Sequence, residues 1–222
     1  MATAAAKTRV AIYGGAFDPP TTDHMRLVAQ ILRSAHVDEV WLTPCGPRPD
    51  KPTLTTPTFD RWAMCHVAIN SVFPPDLRVL VSDIDVHRAQ AMFTHDMLKQ
   101  LTLEHGDSHT FTFVVGTDWL QPGTNIHSWQ SEEGVTGHIL VQEFDFLVLP
   151  RPGFDVEGPL EQFGPRFRWL DVDAGFDMVE GNGSSTEVRK RLKASGDLNA
   201  AAGLVPLAIL GYIKRQRLYL DD

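Results

Sequence analysis

Cysteine is nearly absent: Cys45 and Cys65 are the only two in 222 residues, and their spacing fits neither a zinc site nor a disulfide framework. The expectation is a reduced, intracellular protein, cytoplasmic or nuclear. No window approaches 18 uninterrupted apolar residues, which argues against a membrane-spanning helix. Basic residues are in short supply, 20 Lys and Arg against 28 Asp and Glu, for a net charge of −8. A general nucleic-acid binder needs a basic face, so that class is set aside; small phosphorylated ligands need only local positive groups. The nine histidines include no His-Glu-x-x-His or other close ligand set, and His105 and His109 merely bracket a turn, so no protein-borne metal site is expected. Internal repeats, low-complexity tracts and clear linkers are also missing. Residues 1–8 read as a disordered tail too short to be a secretory signal, and 9–222 as one domain.

What is present is concentrated first between Arg9 and Met25. Val10-Ala11-Ile12-Tyr13 is β-branched and aromatic enough for a buried strand, which Gly14-Gly15 breaks. Asp18-Pro19-Pro20 forbids an immediate helix. Thr22 or Asp23 then serves as N-cap to an amphipathic helix with Met25, Leu27, Val28, Ile31 and Leu32 at helical spacing. Strand, glycine turn and helix start aim amide N–H groups, a positive helix end and the His24 imidazole at one place beyond a strand's carboxyl end. That geometry suits a phosphate, although an ordinary βα connection has the same outline.

Strands alternate with helices thereafter: Val40 to Thr43 (strand), Thr58 to Ile69 (helix, with Trp62, Cys65 and Ile69 on one stripe), Leu77 to Val81 (strand), Met92 to Leu101 (helix, ending near Gly106), Phe111 to Val115 and Phe146 to Leu149 (strands). Ile139-Leu140-Val141 is too short to assign. Repeated βα units imply a mainly parallel sheet covered on both faces. Two proline-punctuated loops, Pro44 to Pro57 and Gln121 to His127, follow strands ending at the same sheet edge as Gly14-Gly15 and are expected to border one crevice.

Strand four runs into Gly116-Thr117-Asp118-Trp119, where Gly116 permits close approach and Asp118 either binds ribose hydroxyls or caps the following turn. Trp129 sits in a polar setting and suits stacking on a flat heterocycle. Near the end, Gly181-Asn182-Gly183 leads to Ser184-Ser185-Thr186-Glu187, with capping-box spacing from Ser184 to Glu187 and a helix stop at Gly196. This is either a capped surface helix or a second anion site, with Arg189 one turn in and Lys190 and Arg191 as solvated charges.

The two segments together resemble a known superfamily. Gly-Gly-Ala-Phe-Asp-Pro followed by Thr21-x-x-His24 resembles the nucleotidyltransferase signature, and Ser184-Ser185-Thr186-x-x-Arg189 its Ile-Ser-x-Thr-x-x-Arg motif. Gly116-x-Asp118 with Trp129, Phe93-Thr94-x-Asp96-x-Leu98, Arg151-Pro152-Gly153, and Tyr212-Ile213 with Leu218-Tyr219 in a C-terminal helix are similar to segments of nicotinamide/nicotinate mononucleotide adenylyltransferases. Thr21 departs from the histidine of many bacterial members; threonine there also suits phosphopantetheine adenylyltransferases, the alternative. Gly183 stands where isoleucine commonly precedes the serine. The resemblance implies a single-domain, Rossmann-like doubly wound fold with a small C-terminal helical portion. It further implies ATP and nicotinamide or nicotinate mononucleotide as partners, and magnesium bound through ATP phosphates.

In that reading His24, Arg189 and Thr21 are catalytic. ATP is held by Gly14, Gly15, Ala16, Phe17, His24, Lys51, Gly116, Asp118, Ser184, Ser185, Thr186 and Arg189; the mononucleotide by Phe17, Lys51, Thr94, Trp119, Trp129 and Arg151. No membrane or nucleic acid is involved, and homo-oligomerisation is compatible with the sequence. A nicotinamide-dependent oxidoreductase would require Gly-x-Gly-x-x-Gly, but Gly15 is followed by Ala16-Phe17-Asp18. A non-catalytic nucleotide sensor is the remaining rival.

Overall fold

A computed structural model describes residues 6–171 and 183–220. In chain order the elements are β1 (Thr8–Gly15), α1 (Thr22–Arg33), β2 (Glu39–Pro44), α2 (Thr58–Val72), β3 (Val79–Val81), α3 (Thr94–His105), β4 (His109–Gly116), β5 (Gln130–Ser131), β6 (Gly134–Val135), α4 (Gly137–Glu143), β7 (Asp145–Leu149), β8 (Phe167–Trp169), α5 (Ser185–Ser195) and α6 (Leu207–Gln216). Six strands form one helix-flanked sheet in the order β3-β2-β1-β4-β7-β8, parallel at β1·β4, β4·β7 and β7·β8. The order turns back between β1 and β4, the switch point beyond which ligands bind in open sheets of this kind. No helix among the described residues is long and apolar enough to cross a membrane.

The chain folds as two compact units, each drawn from three separate stretches. The first comprises Met1–Tyr13, Ile31–Trp41 and Met92–Asp173. Its core is the sheet centre: Val10, Ala11 and Ile12 are wholly buried in succession, because a parallel strand covered on both faces has no solvent side. Val10 lies opposite Phe111, Ile12 opposite Phe113, and Phe113 opposite Phe146. Phe146 and Phe167 stack at 4.5 Å, which fixes β8 onto β7. The second unit comprises Gly14–Gln30, Leu42–Ala91 and Ala174–Asp222. There α2 buries Met64, Cys65 and Ala68, α5 buries Val188 and Leu192, and α6 buries Ile209, Leu210 and Ile213.

The expected elements are all found, with corrections. The helix after the glycine loop starts one residue earlier than expected, so its cap is neither Thr22 nor Asp23 but Thr21, whose Oγ1 accepts the His24 N–H at 3.2 Å. The buried stripe of α2 passes through Arg61, Met64, Cys65 and Ala68, leaving Trp62 half-buried to one side. Leu77 is 43% exposed and precedes the three-residue β3. Ile139-Leu140-Val141 is helical, within α4. Leu218 and Tyr219 lie beyond α6, which ends where Arg217 turns left-handed at φ 53°. β8 and the β5–β6 hairpin had no periodicity long enough to announce them. Residues 1–5, most of the expected tail, are outside the described residues, and Thr8 already belongs to β1.

Candidate active site

In the second unit, β1 ends at Gly14-Gly15 and the chain turns through Phe17, which is buried and left-handed at φ 48°. A Cβ on Gly15 would come within 3.1 Å of the Phe17 ring, so glycine is what lets the ring fold back beneath the turn. Cys45 N–H donates to Gly15 O at 2.9 Å, tying the long loop after β2 to the glycine turn. Thr21 is fully buried and works twice. Its Oγ1 caps α1, and its backbone N–H donates to His24 Nδ1 at 2.9 Å. A ring nitrogen that accepts an amide hydrogen carries none itself, so the His24 proton sits on Nε2. The Phe17 ring meets the imidazole edge-on at 5.1 Å and fixes its plane. Orientation and tautomer of His24 are thus set by Thr21 and Phe17.

The C-terminal half of the same unit closes on this loop. Ser184 accepts the Glu187 N–H at 3.1 Å and caps α5, and Gly196 ends it at φ 61°. The capping box does not close reciprocally, because the Glu187 carboxylate pairs with Arg191 at 2.7 Å. That pairing pulls Glu187 below the usual carboxylate range, chiefly through the Arg191 hydrogen bond. Ser184→Ala is expected to cost about 1 kcal/mol of stability, read as a lower midpoint in urea with unchanged slope. Ser185 Oγ donates to Pro19 O at 2.8 Å, and Arg189 Nη1 donates to Asp18 O at 2.6 Å while Nη2 reaches Thr186 Oγ1 at 3.3 Å. Gly183 N–H donates to Asp23 at 2.5 Å, and Thr22 N–H to Leu204 O at 2.9 Å. The two separated segments therefore meet, with Ser185 and Arg189 holding the Asp18-Pro19 loop that leads into α1 and His24. Gly181 and Asn182, the start of the expected motif, lie outside the described residues. Lys51 is exposed in the long loop of this unit, its backbone N–H turned to Arg48 O at 2.9 Å.

Arg61 escaped sequence reasoning, and Asp18 and Tyr219 were read there only as parts of motifs, with no role of their own. Arg61, 1% exposed, is the largest fully buried side chain, and it donates to Ala16 O (2.8 Å), Cys45 O (2.6 Å), Thr56 O (3.2 Å) and Thr58 Oγ1 (3.0 Å). No carboxylate pairs with it among the described residues, so the charge is met by carbonyl dipoles of the glycine turn and the loop after β2. Its signal in the sequence was a charge at the apolar spacing of Met64, Cys65 and Ala68. Asp18 is 1% exposed and accepts from Tyr219 Oη at 2.5 Å; neither residue had any periodic signature.

In the first unit, β4 ends at Gly116, where a Cβ would fall 2.3 Å from Asp118 Oδ1 and 3.0 Å from Arg151 Nε. A larger residue there would have to push the Asp118 and Arg151 side chains aside. Asp118 does not cap the following turn: its Oδ2 takes Arg151 Nη1 at 3.1 Å, while Oδ1 is buried and without a partner among the described residues. The Arg151 N–H donates to Thr117 Oγ1 at 2.9 Å, which sets the Arg-Pro-Gly turn beside β4. Trp129 meets Trp119 edge-on at 5.1 Å and Phe113 at 6.0 Å, and its Nε1 is likewise buried without a partner among those residues. Thr94 opens α3, whose next residue His95 is buried against Glu143 at 2.9 Å.

Residues 12–191 match the family described as cytidylyltransferase-like, a span that takes in both the glycine turn and the Ser184–Arg189 segment. The chain belongs to that family. It is similar over nearly all its length to proteins named "probable nicotinate-nucleotide adenylyltransferase". That of Herpetosiphon aurantiacus is 31% identical over 96% of this chain and 98% of its own, and that of Shewanella pealeana 31% identical over 96% and 97%. Among solved structures, nicotinic acid mononucleotide adenylyltransferase of Plasmodium falciparum complexed with NaAD superposes with a TM-score of 0.75 at 26% identity, covering 96% of this chain and 97% of that one. The same protein complexed with APC gives 0.73 at 25% identity, with the same coverage.

Proposed function

We propose that this chain joins ATP to nicotinate mononucleotide, giving deamido-NAD and pyrophosphate. The observation that carries the reading is the union of two separated segments in one compact unit: His24, oriented by Thr21, and Arg189, bonded to the Asp18 carbonyl of the same loop. The names of relatives spanning nearly the whole chain point to the same activity. The attacking group is the 5′-phosphate of the mononucleotide, ionised near neutral pH, so neither a protein base nor a covalent intermediate is required. Catalysis is then alignment and charge stabilisation during in-line displacement at the α-phosphorus.

His24 Nε2–H donates to the triphosphate, the amides of Gly15, Ala16 and Phe17 line it, and Arg189 with the start of α5 neutralises the departing pyrophosphate. Lys51 serves the phosphates from the long loop. Gly116 and Asp118 are the residues proposed for the adenosine, and Trp129, Trp119, Thr94 and Arg151 those for the pyridine nucleotide. A divalent cation carried by ATP, magnesium in this reading, would supply charge neutralisation for the leaving group. Asp18 and Asp23, the acids nearest the glycine turn, are already committed to Tyr219 with Arg189 and to Arg26 with Gly183, so the phosphates of ATP would carry the cation.

Incubation with ATP and magnesium plus, separately, nicotinate mononucleotide, nicotinamide mononucleotide and phosphopantetheine tests the reading by pyrophosphate release. The acidic mononucleotide is expected to react fastest; exclusive turnover of phosphopantetheine overturns the assignment. Trp129→Ala is expected to raise the KM for mononucleotide about tenfold, on the scale of one lost stacking contact, with the KM for ATP changed far less. Equal changes in both would remove its stacking role.

A further inference from the structure

Asp18 is an acid without a task in the mechanism above, buried beside the cation that serves the leaving group. Its side chain is 2% exposed, against 28% for Arg189. Arg189 Nη1 donates to the Asp18 carbonyl at 2.6 Å and pairs with its carboxylate only at the longer distance of 3.5 Å, so the guanidinium is held chiefly by the backbone and not by the acid. The close partner of the carboxylate is Tyr219, whose hydroxyl donates to Oδ1 at 2.5 Å and also bonds the buried Thr56. Burial foremost, then the Asp18 charge, push the Tyr219 phenol well above its usual range, so it remains a donor across the physiological range. The segment that delivers this hydroxyl is bent against ordinary backbone preference: Arg217 and Tyr219 are both left-handed, at φ 53° and 63°. Such residues persist where surrounding contacts over-determine them. A second tyrosine anchors the approach, Tyr212 Oη donating to Asp60 at 2.8 Å.

We infer that Tyr219 is a positioning residue for phosphate transfer: by satisfying the buried Asp18 carboxylate, it keeps Arg189 available to the polyphosphate of ATP. A carboxylate deprived of its neutral donor takes the nearest cation, and that cation is Arg189. The last turn of the chain would thus act on ATP without touching it. The inference rests on the reading that Arg189 serves the ATP phosphates.

The test compares wild type, Tyr219→Phe, Asp18→Asn and the double variant in the pyrophosphate-release assay, with melting temperature as control. Tyr219→Phe should raise the KM for ATP about tenfold and leave the KM for mononucleotide within about twofold. Adding Asp18→Asn should bring the KM for ATP back to within about threefold of wild type, because a neutral amide no longer competes for Arg189. A purely structural tyrosine would lower the melting temperature while leaving KM unchanged, and that result overturns the inference. Should Tyr219→Phe fail to fold, the double variant, which removes both charge and donor, decides: a KM for ATP more than fivefold above wild type overturns it. Arg189→Ala separates the two levels, since an unchanged KM for ATP there refutes the assignment of Arg189 itself, independently of Tyr219.

Discussion

His24→Ala is expected to reduce turnover by about 10²-fold or more, roughly 3 kcal/mol of transition-state stabilisation. The reason lies in how the ring is held. With Nδ1 occupied by the Thr21 N–H, the imidazole presents its proton from Nε2 in a fixed plane, without reorganising as charge develops. Alanine removes that donor while Thr21 Oγ1 still caps α1 through the residue 24 amide, so the fold should survive. The measurement is kcat by pyrophosphate release beside far-ultraviolet circular dichroism. Turnover within threefold of wild type, with a native spectrum, would show that the glycine turn binds something other than a reacting phosphate.

Arg61→Ala should give the largest loss of stability, about 3–5 kcal/mol, from buried carbonyls that lose their donor and from the cavity left behind. The guanidinium joins three pieces of chain that share no secondary structure: the glycine turn through Ala16 O, the loop after β2 through Cys45 O, and the approach to α2 through Thr56 O. Alanine leaves those carbonyls buried without donors and opens a void of side-chain size. For a chain of this length the melting temperature should fall by about 10 °C. A shift below 2 °C would mean that water reaches the carbonyls and that the buried cation is dispensable.

How much of this was readable without coordinates depended on whether information was local. The strand-turn-helix at β1 and α1 was legible because alternation of apolar runs, glycine and proline is a short-range code. Ser184 as a cap and Gly196 as a stop were legible for the same reason. Thr21 was passed over as the cap in favour of Thr22 or Asp23, because the boundary between a constrained loop and a first helical turn shifts by one residue without changing the composition. Arg61, Asp18 and Tyr219 were invisible as a group: their significance comes from partners 45 and 201 positions away. Asp118 stayed undecided until the structure gave it Arg151 instead of a turn amide.

Each compact unit is assembled from three stretches, and the one bearing His24 takes its last stretch from beyond residue 173. During synthesis this unit must wait: Arg189 and Tyr219, which bond Asp18, are made 171 and 201 residues after it. No single cut in the chain separates one unit from the other, so the contacts that complete each of them are long-range and are made late in folding.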